Sequence, residues 1–320
     1  MSTAYIASLN YARNQIGLYF GIPVFIMSVI GEVLSIIVLL SLKTFRQSSC
    51  GFYLLNMSIF NLIRLCLSSV FVIMSISFEI DYSISIFFFC QLRNFVVTTC
   101  NMGSITCLGM AVIDQYFATC FRPRWQQWAN KNIAYRVTLI TTLFWILNGI
   151  FYVIFFNNIS PASRATCVTS NYIFLQYHIY GYFIIYNNLL PLVTVIFGVM
   201  AFHNVRHLTH RTIPLVRRDL EKQLTVMVLV QTTIHVCTYL PFATISIVSA
   251  LKANPSSVYL AEMNFINAVV YIISVYSNGC SFYTYVCVSQ RFRRQFYHVL
   301  SKMHLVRCVE NRIIPNQTDA

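Results

Sequence analysis

Seven long apolar stretches, separated by short polar gaps, constrain this sequence more than any other feature. Of its 320 residues, 57% are hydrophobic and only 10% are charged, whereas a soluble domain carries about 25% charged residues. A helix that crosses a bilayer needs about 20 mostly apolar residues. We therefore predict an all-α membrane protein, a bundle of seven transmembrane helices that cover residues 16–42, 52–78, 88–120, 137–157, 173–203, 222–250 and 262–288.

The positions of the basic residues predict the orientation of this bundle. The formal net charge is +13, but lysine and arginine are concentrated in alternate gaps instead of along one amphipathic face, which argues against a nucleic-acid partner. The positive-inside rule places such gaps in the cytoplasm. We expect a multi-pass protein of the plasma membrane, with an extracellular N-terminus at 1–15, a transmembrane domain at 16–288 and a cytoplasmic end at 289–320.

The segment after the last apolar stretch has the pattern of an amphipathic helix. Between residues 289 and 305, apolar side chains such as Phe292 and Phe296 recur at helical spacing among arginine and lysine. Such a helix is expected to lie at the cytoplasmic interface of the membrane. Cys308 follows it, and is either a palmitoylation site or an unmodified thiol in the tail.

Two of the eleven cysteines are expected on the extracellular side. Cys90 begins the third apolar stretch, and Cys167 lies between the fourth and the fifth. Disulfides form in oxidising compartments, so we predict a bond between these two residues; two unpaired thiols are the alternative. Asn158 begins a glycosylation motif in the same gap, although the following Pro161 and the nearby membrane disfavour glycosylation there.

A set of short motifs occurs along the chain in a defined order. Asp114 lies 24 residues after Cys90 and begins the motif Asp114-Gln115-Tyr116. The other positions of the set are Leu55 and Asn56 in the second stretch, Trp145 in the fourth, Pro191 in the fifth, Tyr239 and Pro241 in the sixth, and Tyr285 followed by Phe292 at the seventh. In order and spacing this set resembles the rhodopsin-like (class A) G-protein-coupled receptors, and the chain resembles a divergent member of that family over roughly residues 17–305.

The resemblance implies a receptor that binds an extracellular ligand, a peptide or a small chemosensory molecule, and signals through a heterotrimeric G protein by a conformational change. It implies that the side chains facing the ligand are Arg93, Val97, Asn101, Asn187, Tyr239, Phe242 and Tyr271. Val97 stands where amine receptors have an aspartate, so a monoamine ligand is disfavoured. Pro241 marks the expected hinge of the sixth helix, and His235 near it is either a pH-sensitive element or a neutral core histidine.

Several positions depart from the family pattern. Gln115 replaces the motif arginine, so the usual ion pair with the acid at Glu221 cannot form, and at best one hydrogen bond joins the two side chains. Either a weaker inactive-state latch or weaker docking of the G protein would follow. Ser281 and Phe282 also replace an Asn-Pro pair. The residues that the resemblance assigns to coupling are Asp114, Gln115, Tyr116, Glu221 and Tyr285.

Three polar residues within the apolar stretches have separate consequences. Asn61 stands where the family has an aspartate, and an amide is a poor ligand for a hard cation, so we expect no sodium effect through this site unless Glu32 supplies the carboxylate. Glu32 and Arg64 are charged residues placed deep within spans. Either they form an ion pair, or Glu32 is protonated and Arg64 extends toward the outer headgroups.

Two other functional classes remain open from the sequence. A receptor-like decoy that no longer couples is compatible with Gln115 and Phe282. A seven-span transporter or channel subunit is compatible with charges at Glu32 and Arg64. The sequence offers no phosphate-binding loop, metal-ligand cluster or nucleophile–base set, so we expect no enzymatic activity, cofactor or metal ion.

Overall fold

The computed structural model describes residues 2–41, 43–79, 87–159, 166–169, 171–206, 215–251 and 256–302. In this part of the chain, seven helical segments are long and apolar enough to cross a membrane. The predicted fold class is therefore confirmed, and the protein is an all-α, multi-pass membrane protein. The seven spans, numbered in chain order, are Thr3–Ser41, Ser49–Phe78, Phe88–Thr119, Lys131–Phe155, Tyr172–Arg206, Asp219–Ser249 and Ser257–Gly279.

Several spans consist of more than one helix. The α-helices are Ser2–Ile16, Ile22–Ser41, Lys43–Gln47, Ser49–Arg64, Val70–Phe78, Phe87–Thr119, Pro123–Gln126, Lys131–Phe155, Tyr172–Gln176, Asn187–Arg206, Leu215–Leu251, Ser257–Gly279, Ser281–Val288 and Gln290–Lys302. Three π-helical segments, Gly17–Gly21, Leu65–Ser69 and Tyr177–Tyr186, connect neighbouring α-helices within the first, second and fifth spans. Such segments often occur at functional sites, and the third of them carries Tyr182, which is buried in the bundle.

Several helices begin earlier than predicted, because hydrophobicity marks the membrane-embedded part of a helix and not its first residue. The first helix begins at Ser2 and packs against the seventh span, where Tyr5 Oη donates a hydrogen bond to Glu262 Oε1 (3.3 Å). Residues 2–15, predicted as a separate N-terminal segment, therefore extend the first span. The second, fourth and seventh spans follow side-chain caps on Ser48, Asn130 and Ser256.

The third span forms the centre of the bundle. Of its most apolar segment, 78% is buried, compared with 22–39% for the other six spans, and it packs against the second, fourth, fifth and sixth spans. Small residues allow close approach, since a Cβ atom on Gly149 of the fourth span would collide with Thr99 and Phe95 of the third. In lipid, such close packing contributes much of the attraction between helices.

We call the two ends of the bundle the Cys90 end and the Asp114 end, after residues near the two ends of the third span. At the Cys90 end, strand β1 (Phe156–Ile159) pairs antiparallel with strand β2 (Thr166–Thr169). A disulfide joins Cys90 to Cys167 of β2, as predicted, with a Cα–Cα distance of 5.7 Å. The disulfide fastens the hairpin to the third span.

At the Asp114 end, the short helix Ser281–Val288 follows the seventh span. The helix Gln290–Lys302 comes next, close to the predicted limits of 289–305. Its Phe292 is fully buried and packs against Phe282 and Tyr285, with ring centroids 5.9 and 5.5 Å away. Tyr297 of the same helix is exposed. One face of the helix is thus buried and another is open, as expected of an amphipathic interfacial helix.

The two predicted modification sites stay predictions. The backbone of Asn158 lies in β1, directly opposite Cys167, and its side chain is not among those that the structure describes. Cys308 lies outside the described residues.

Candidate functional site

The motif residues Asp114 and Gln115 tie the third span to its neighbours at the Asp114 end. Asp114 is buried, and its Oδ2 accepts a hydrogen bond from Ser49 Oγ (2.7 Å) at the start of the second span. Gln115 is fully buried, and its Oε1 accepts a hydrogen bond from Thr225 Oγ1 (2.9 Å) of the sixth span. We call the second contact the Gln115–Thr225 latch.

The latch replaces the hydrogen bond predicted between Gln115 and Glu221. Thr225 lies one helical turn after Glu221, and its single hydroxyl hydrogen is shared between Gln115 Oε1 and the Glu221 carbonyl oxygen (2.8 Å). Glutamine is shorter than arginine, so it reaches only the residue that directly faces it, and its Nε2 is buried without a hydrogen-bond partner. Because rotation of a side-chain amide exchanges its oxygen and nitrogen, the latch supplies one neutral hydrogen bond in either orientation.

A cavity of about 360 Å³ opens beside the latch. Its polar lining comes from four spans and includes Ser49 of the second, Asp114 of the third, Lys131 of the fourth and Glu221 of the sixth. We call it the Asp114 cleft. Its shape depends on the position of the sixth span, because Leu220 and Glu221 form one of its walls.

The two tyrosines that the resemblance assigns to coupling are packed against neighbouring rings. Tyr116 contacts Phe197 of the fifth span edge-on, with ring centroids 5.4 Å apart. Tyr285 is fully buried against Phe292, and its hydroxyl has no hydrogen-bond partner. A buried hydroxyl without a partner costs about 1–3 kcal/mol, so a rearrangement that provides one would be favoured at Tyr285.

Arg64 anchors a row of hydrogen bonds across the bundle interior. It lies in the second span with 3% of its surface exposed, and its Nη1 donates to Asn101 Oδ1 (2.8 Å) of the third span. Asn101 Nδ2 donates to Tyr239 Oη (2.7 Å) of the sixth span and lies 3.4 Å from Tyr182 Oη of the fifth. Four spans therefore meet at one amide, and we call these four residues the Arg64 rung.

A second row of hydrogen bonds, the Glu32 rung, is centred on Glu32 of the first span. Glu32 is fully buried, and its Oε1 accepts hydrogen bonds from Asn61 Nδ2 (3.2 Å) and Ser281 Oγ (2.5 Å). Ser104 Oγ of the third span donates to Asn61 Oδ1 (2.6 Å). The rung therefore joins the first three spans to the helix that follows the seventh.

The predicted ion pair between Glu32 and Arg64 is wrong, and so is the alternative in which Arg64 extends toward the outer headgroups. Arg64 is buried and donates to an amide, while Glu32 accepts from a different set of donors. The spacing explains the separation. Asn61 and Arg64 lie three residues apart on the second span, and Asn101 and Ser104 lie three apart on the third, so two antiparallel helices form two rungs one turn apart.

A row of contacting rings runs along the sixth span and includes Tyr239 of the Arg64 rung. His235 stacks on Tyr239 with ring centroids 5.1 Å apart, Tyr239 contacts Phe242 at 5.6 Å, and Phe242 contacts Tyr271 of the seventh span at 6.1 Å. Pro241 lies between Tyr239 and Phe242 in the sixth helix. Proline inside a helix removes a backbone hydrogen bond and favours a bend. His235 is buried, and its Nε2 has no hydrogen-bond partner.

The residues predicted to face a ligand divide into a buried and a half-buried group. Asn101 and Tyr239 are buried in the Arg64 rung, and Asn187 is buried beside it, where its Nδ2 donates to the Tyr182 carbonyl oxygen (2.9 Å). The half-buried residues are Arg93, Val97, Phe242 and Tyr271. The structure thus connects Asn101, Tyr239, Phe242 and Tyr271 into one chain of contacts and places Asn187 at its side.

Sequence reasoning missed three partners that complete these contacts, Tyr182, Ser104 and Thr225. It singled out Ser281 only as a departure from the family pattern and not as a partner of Glu32. Hydroxyl groups in apolar helices attract little attention, because serine and threonine often bond the carbonyl four residues earlier in their own helix. One signal could have identified Ser104. Its three-residue spacing from Asn101 matches the spacing of Asn61 and Arg64 on the preceding helix.

A scan against models of known protein families finds no match to this chain, and a search of curated proteins finds no significant match.

Proposed function

We propose that this chain is a rhodopsin-like G-protein-coupled receptor that binds an extracellular ligand and signals through a heterotrimeric G protein. The observation that carries the proposal is the Gln115–Thr225 latch at the edge of the Asp114 cleft. The latch joins the third and sixth spans beside a polar cavity, so a shift of the sixth span changes the width of that cavity. A receptor that signals across a membrane needs a helix whose movement changes a binding cleft on the other side.

Under this proposal the Asp114 end faces the cytoplasm, and the Cys90 end faces the outside of the plasma membrane. Basic residues support this orientation, since Arg46, Arg122 and Arg124 are exposed in connections at the Asp114 end, where the positive-inside rule expects them. The disulfide between Cys90 and Cys167 lies at the opposite end, and disulfides form outside the cytosol.

The ligand would enter from the Cys90 end and act on the sixth span through its rings. A ligand from that end would meet the half-buried Phe242 and Tyr271 first. Tyr239 lies behind them, with its hydroxyl bound to Asn101. Aromatic walls with a few polar groups suit a small chemosensory molecule or the end of a peptide. Because Tyr239 stands two residues before Pro241, a displacement of its ring acts on the bend of the helix.

Activation would release the latch. As the Asp114 end of the sixth span moves outward, Thr225 leaves Gln115 and the Asp114 cleft widens to admit the G protein. A neutral hydrogen bond contributes about 0.5–1.5 kcal/mol to stability, and one to a charged group contributes about 1.5–3 kcal/mol. The latch is therefore weaker than a charged one, and we expect noticeable signalling without a ligand.

Second-messenger measurements in cells that express a promiscuous G protein test this proposal. We expect ligand-free signalling above that of mock-transfected cells, and a further rise with some members of a library of peptides and small chemosensory molecules. The control is Ala118→Trp, which fills the Asp114 cleft and should abolish the signal at equal surface expression.

Wild-type signalling no higher than that of Ala118→Trp, with or without library compounds, would refute the receptor proposal. Ion or substrate flux without such signalling would assign the protein to transporters or channels. Ligand binding without either response would identify it as a receptor-like decoy.

A further inference from the structure

Arg64 carries a positive charge in the interior of the bundle beside a neutral partner. An arginine side chain stays charged in proteins and has five N–H donors. Here Nη1 donates to the amide oxygen of Asn101, and Nε is buried without an acceptor. A charge within a membrane span is strongly unfavourable unless it is compensated. The guanidinium therefore has a strong affinity for an anion.

The side chains beside Arg64 offer further hydrogen-bond donors. Tyr239 Oη accepts a hydrogen bond from Asn101 Nδ2, so its own hydrogen is directed elsewhere. His235 stacks on the ring of Tyr239, and its buried Nε2 has no partner; this atom is a donor in one of the two neutral tautomers. A fixed positive charge with hydrogen-bond donors around it favours the binding of an anion and disfavours the binding of a cation.

The carboxylate of Glu32 does not neutralise Arg64 by direct contact. It lies in the neighbouring rung, where Asn61 and Ser281 both donate to its Oε1. Glu32 thus has its own donors, while the partner that the structure describes for Arg64 is an uncharged amide oxygen.

We propose that Arg64, Asn101 and Tyr239 form a binding site for a compact monovalent anionic group, either the carboxylate of the receptor's ligand or a free halide. Where the anion is the ligand's carboxylate, the inference rests on the proposed receptor function and specifies small carboxylic acids as the ligand class. The planar guanidinium binds a carboxylate through two parallel hydrogen bonds, and the unsatisfied Nε supplies one of them.

The site is connected to the element that is proposed to move. Asn101 bonds both Arg64 and Tyr239, so an anion bound between the guanidinium and the Tyr239 hydroxyl also acts on the contact of Asn101 with the sixth span. Tyr239 precedes Pro241 by two residues. Anion binding is therefore expected to alter the bend of the sixth span.

Thermal unfolding of the purified full chain in lipid nanodiscs tests the site without a signalling assay. Benzoate and benzamide have nearly the same shape and differ in charge, so their comparison isolates the carboxylate. Sodium chloride compared with the sodium salt of a bulky sulfonate isolates the halide. We expect a saturable rise in the unfolding temperature with benzoate, with chloride or with both, and no rise with benzamide.

Two arginine variants locate the effect. Arg64→Gln removes the charge and keeps a polar side chain, and we expect it to abolish the rise. Arg13→Gln makes the same change at a half-buried arginine in the first helix, which is not among the residues predicted to face the ligand, and it should respond as the wild type does. In the sulfonate salt, Arg64→Gln is expected to unfold at the wild-type temperature or above it, because removal of an uncompensated buried charge is not destabilising.

An unfolding temperature of the wild type that is the same in benzoate, benzamide and both salts would overturn the proposal, and so would equal stabilisation of Arg64→Gln. Stabilisation by benzoate assigns the site to a ligand carboxylate, and stabilisation by chloride alone assigns it to a halide. If Arg64→Gln does not fold, the comparisons of benzoate with benzamide and of chloride with the sulfonate in the wild type still decide. None of these measurements involves a G protein, so failure of the receptor proposal and failure of the anion site are distinguishable.

Discussion

The Gln115–Thr225 latch gives a quantitative prediction for the variant Thr225→Val. Valine has nearly the shape of threonine but lacks the hydroxyl, so the substitution removes the hydrogen bond to Gln115 and preserves the packing of a fully buried position. Removal of a neutral hydrogen bond costs about 0.5–1.5 kcal/mol. If the latch exists only in the inactive arrangement, this cost falls on that arrangement alone.

The corresponding shift in the equilibrium is large enough to measure. Because 1.4 kcal/mol is a factor of ten, a loss of 0.5–1.5 kcal/mol raises the ratio of the active to the inactive arrangement of the proposed receptor by about 2- to 12-fold. The buried amide of Gln115 then lacks its partner as well, which favours the upper part of this range. We expect a several-fold rise in ligand-free second-messenger production, measured per receptor at the cell surface.

Thr233→Val is the matched control for this variant. Thr233 lies on the same span and bonds the carbonyl four residues earlier (2.9 Å), as Thr225 does, but it is exposed and its described hydrogen bond stays within the helix. Equal ligand-free activity of Thr225→Val and Thr233→Val would refute the latch. The reverse change, Gln115→Arg, adds a charge near Glu221 and should lower ligand-free activity; no effect on either basal or stimulated signalling would contradict the same reasoning.

Three further substitutions are expected to lower the unfolding temperature of the purified protein. Cys167→Ser opens a loop of 77 residues, for which the chain-entropy model gives about 4.5 kcal/mol. Cys66→Ser, at an exposed free cysteine, should have no effect, and equal unfolding temperatures of the two variants would contradict a structural disulfide. Phe292→Ala empties a fully buried position at a cost of about 3–5 kcal/mol, while Tyr297→Ala, at a 59% exposed ring, should leave the temperature unchanged. Gly149→Val forces a side chain against the third span and should cost about 1–3 kcal/mol; wild-type stability would show that the two spans do not approach this closely.

The spans could be predicted from hydrophobicity, because lipid requires long apolar helices, but their limits could not. Ser48, Asn130 and Ser256 start helices outside the apolar stretches, and each start depends on one hydrogen bond that a backbone N–H donates to the side-chain oxygen. The π-helical segment Tyr177–Tyr186 was also missed. A π-helical turn contains one additional residue, and the periodicity of an almost entirely apolar stretch does not reveal it.

The sequence could identify candidate functional residues, but it could not identify the residues that contact them. Gln115 was singled out because it breaks a motif, and Arg64 because it is a charge in an apolar stretch. Their partners Thr225 and Asn101 become neighbours only when the register between two helices is fixed. A shift of one residue turns a side chain by about 100° around the helix axis, which is sufficient to break either contact.

Sodium was expected to have no effect because Asn61 replaces a carboxylate, but this reason does not hold. Glu32 places a carboxylate oxygen 3.2 Å from Asn61 Nδ2, so the first span supplies the acid that the second span lacks.

A different reason supports the expectation that sodium has no effect. Asn61 and Ser281 direct hydrogens at Glu32 Oε1, and Ser104 occupies Asn61 Oδ1. Of the three side-chain oxygens of Glu32 and Asn61, Glu32 Oε2 alone lacks a hydrogen-bond partner among the described residues, whereas a hard cation needs several oxygen lone pairs directed at it. We therefore expect the unfolding temperatures of the wild type and of Glu32→Gln to be unchanged when sodium replaces a bulky organic cation. A sodium-dependent rise in the wild type that Glu32→Gln loses would show that the Glu32 oxygens bind the ion, and that the donors around them can be displaced.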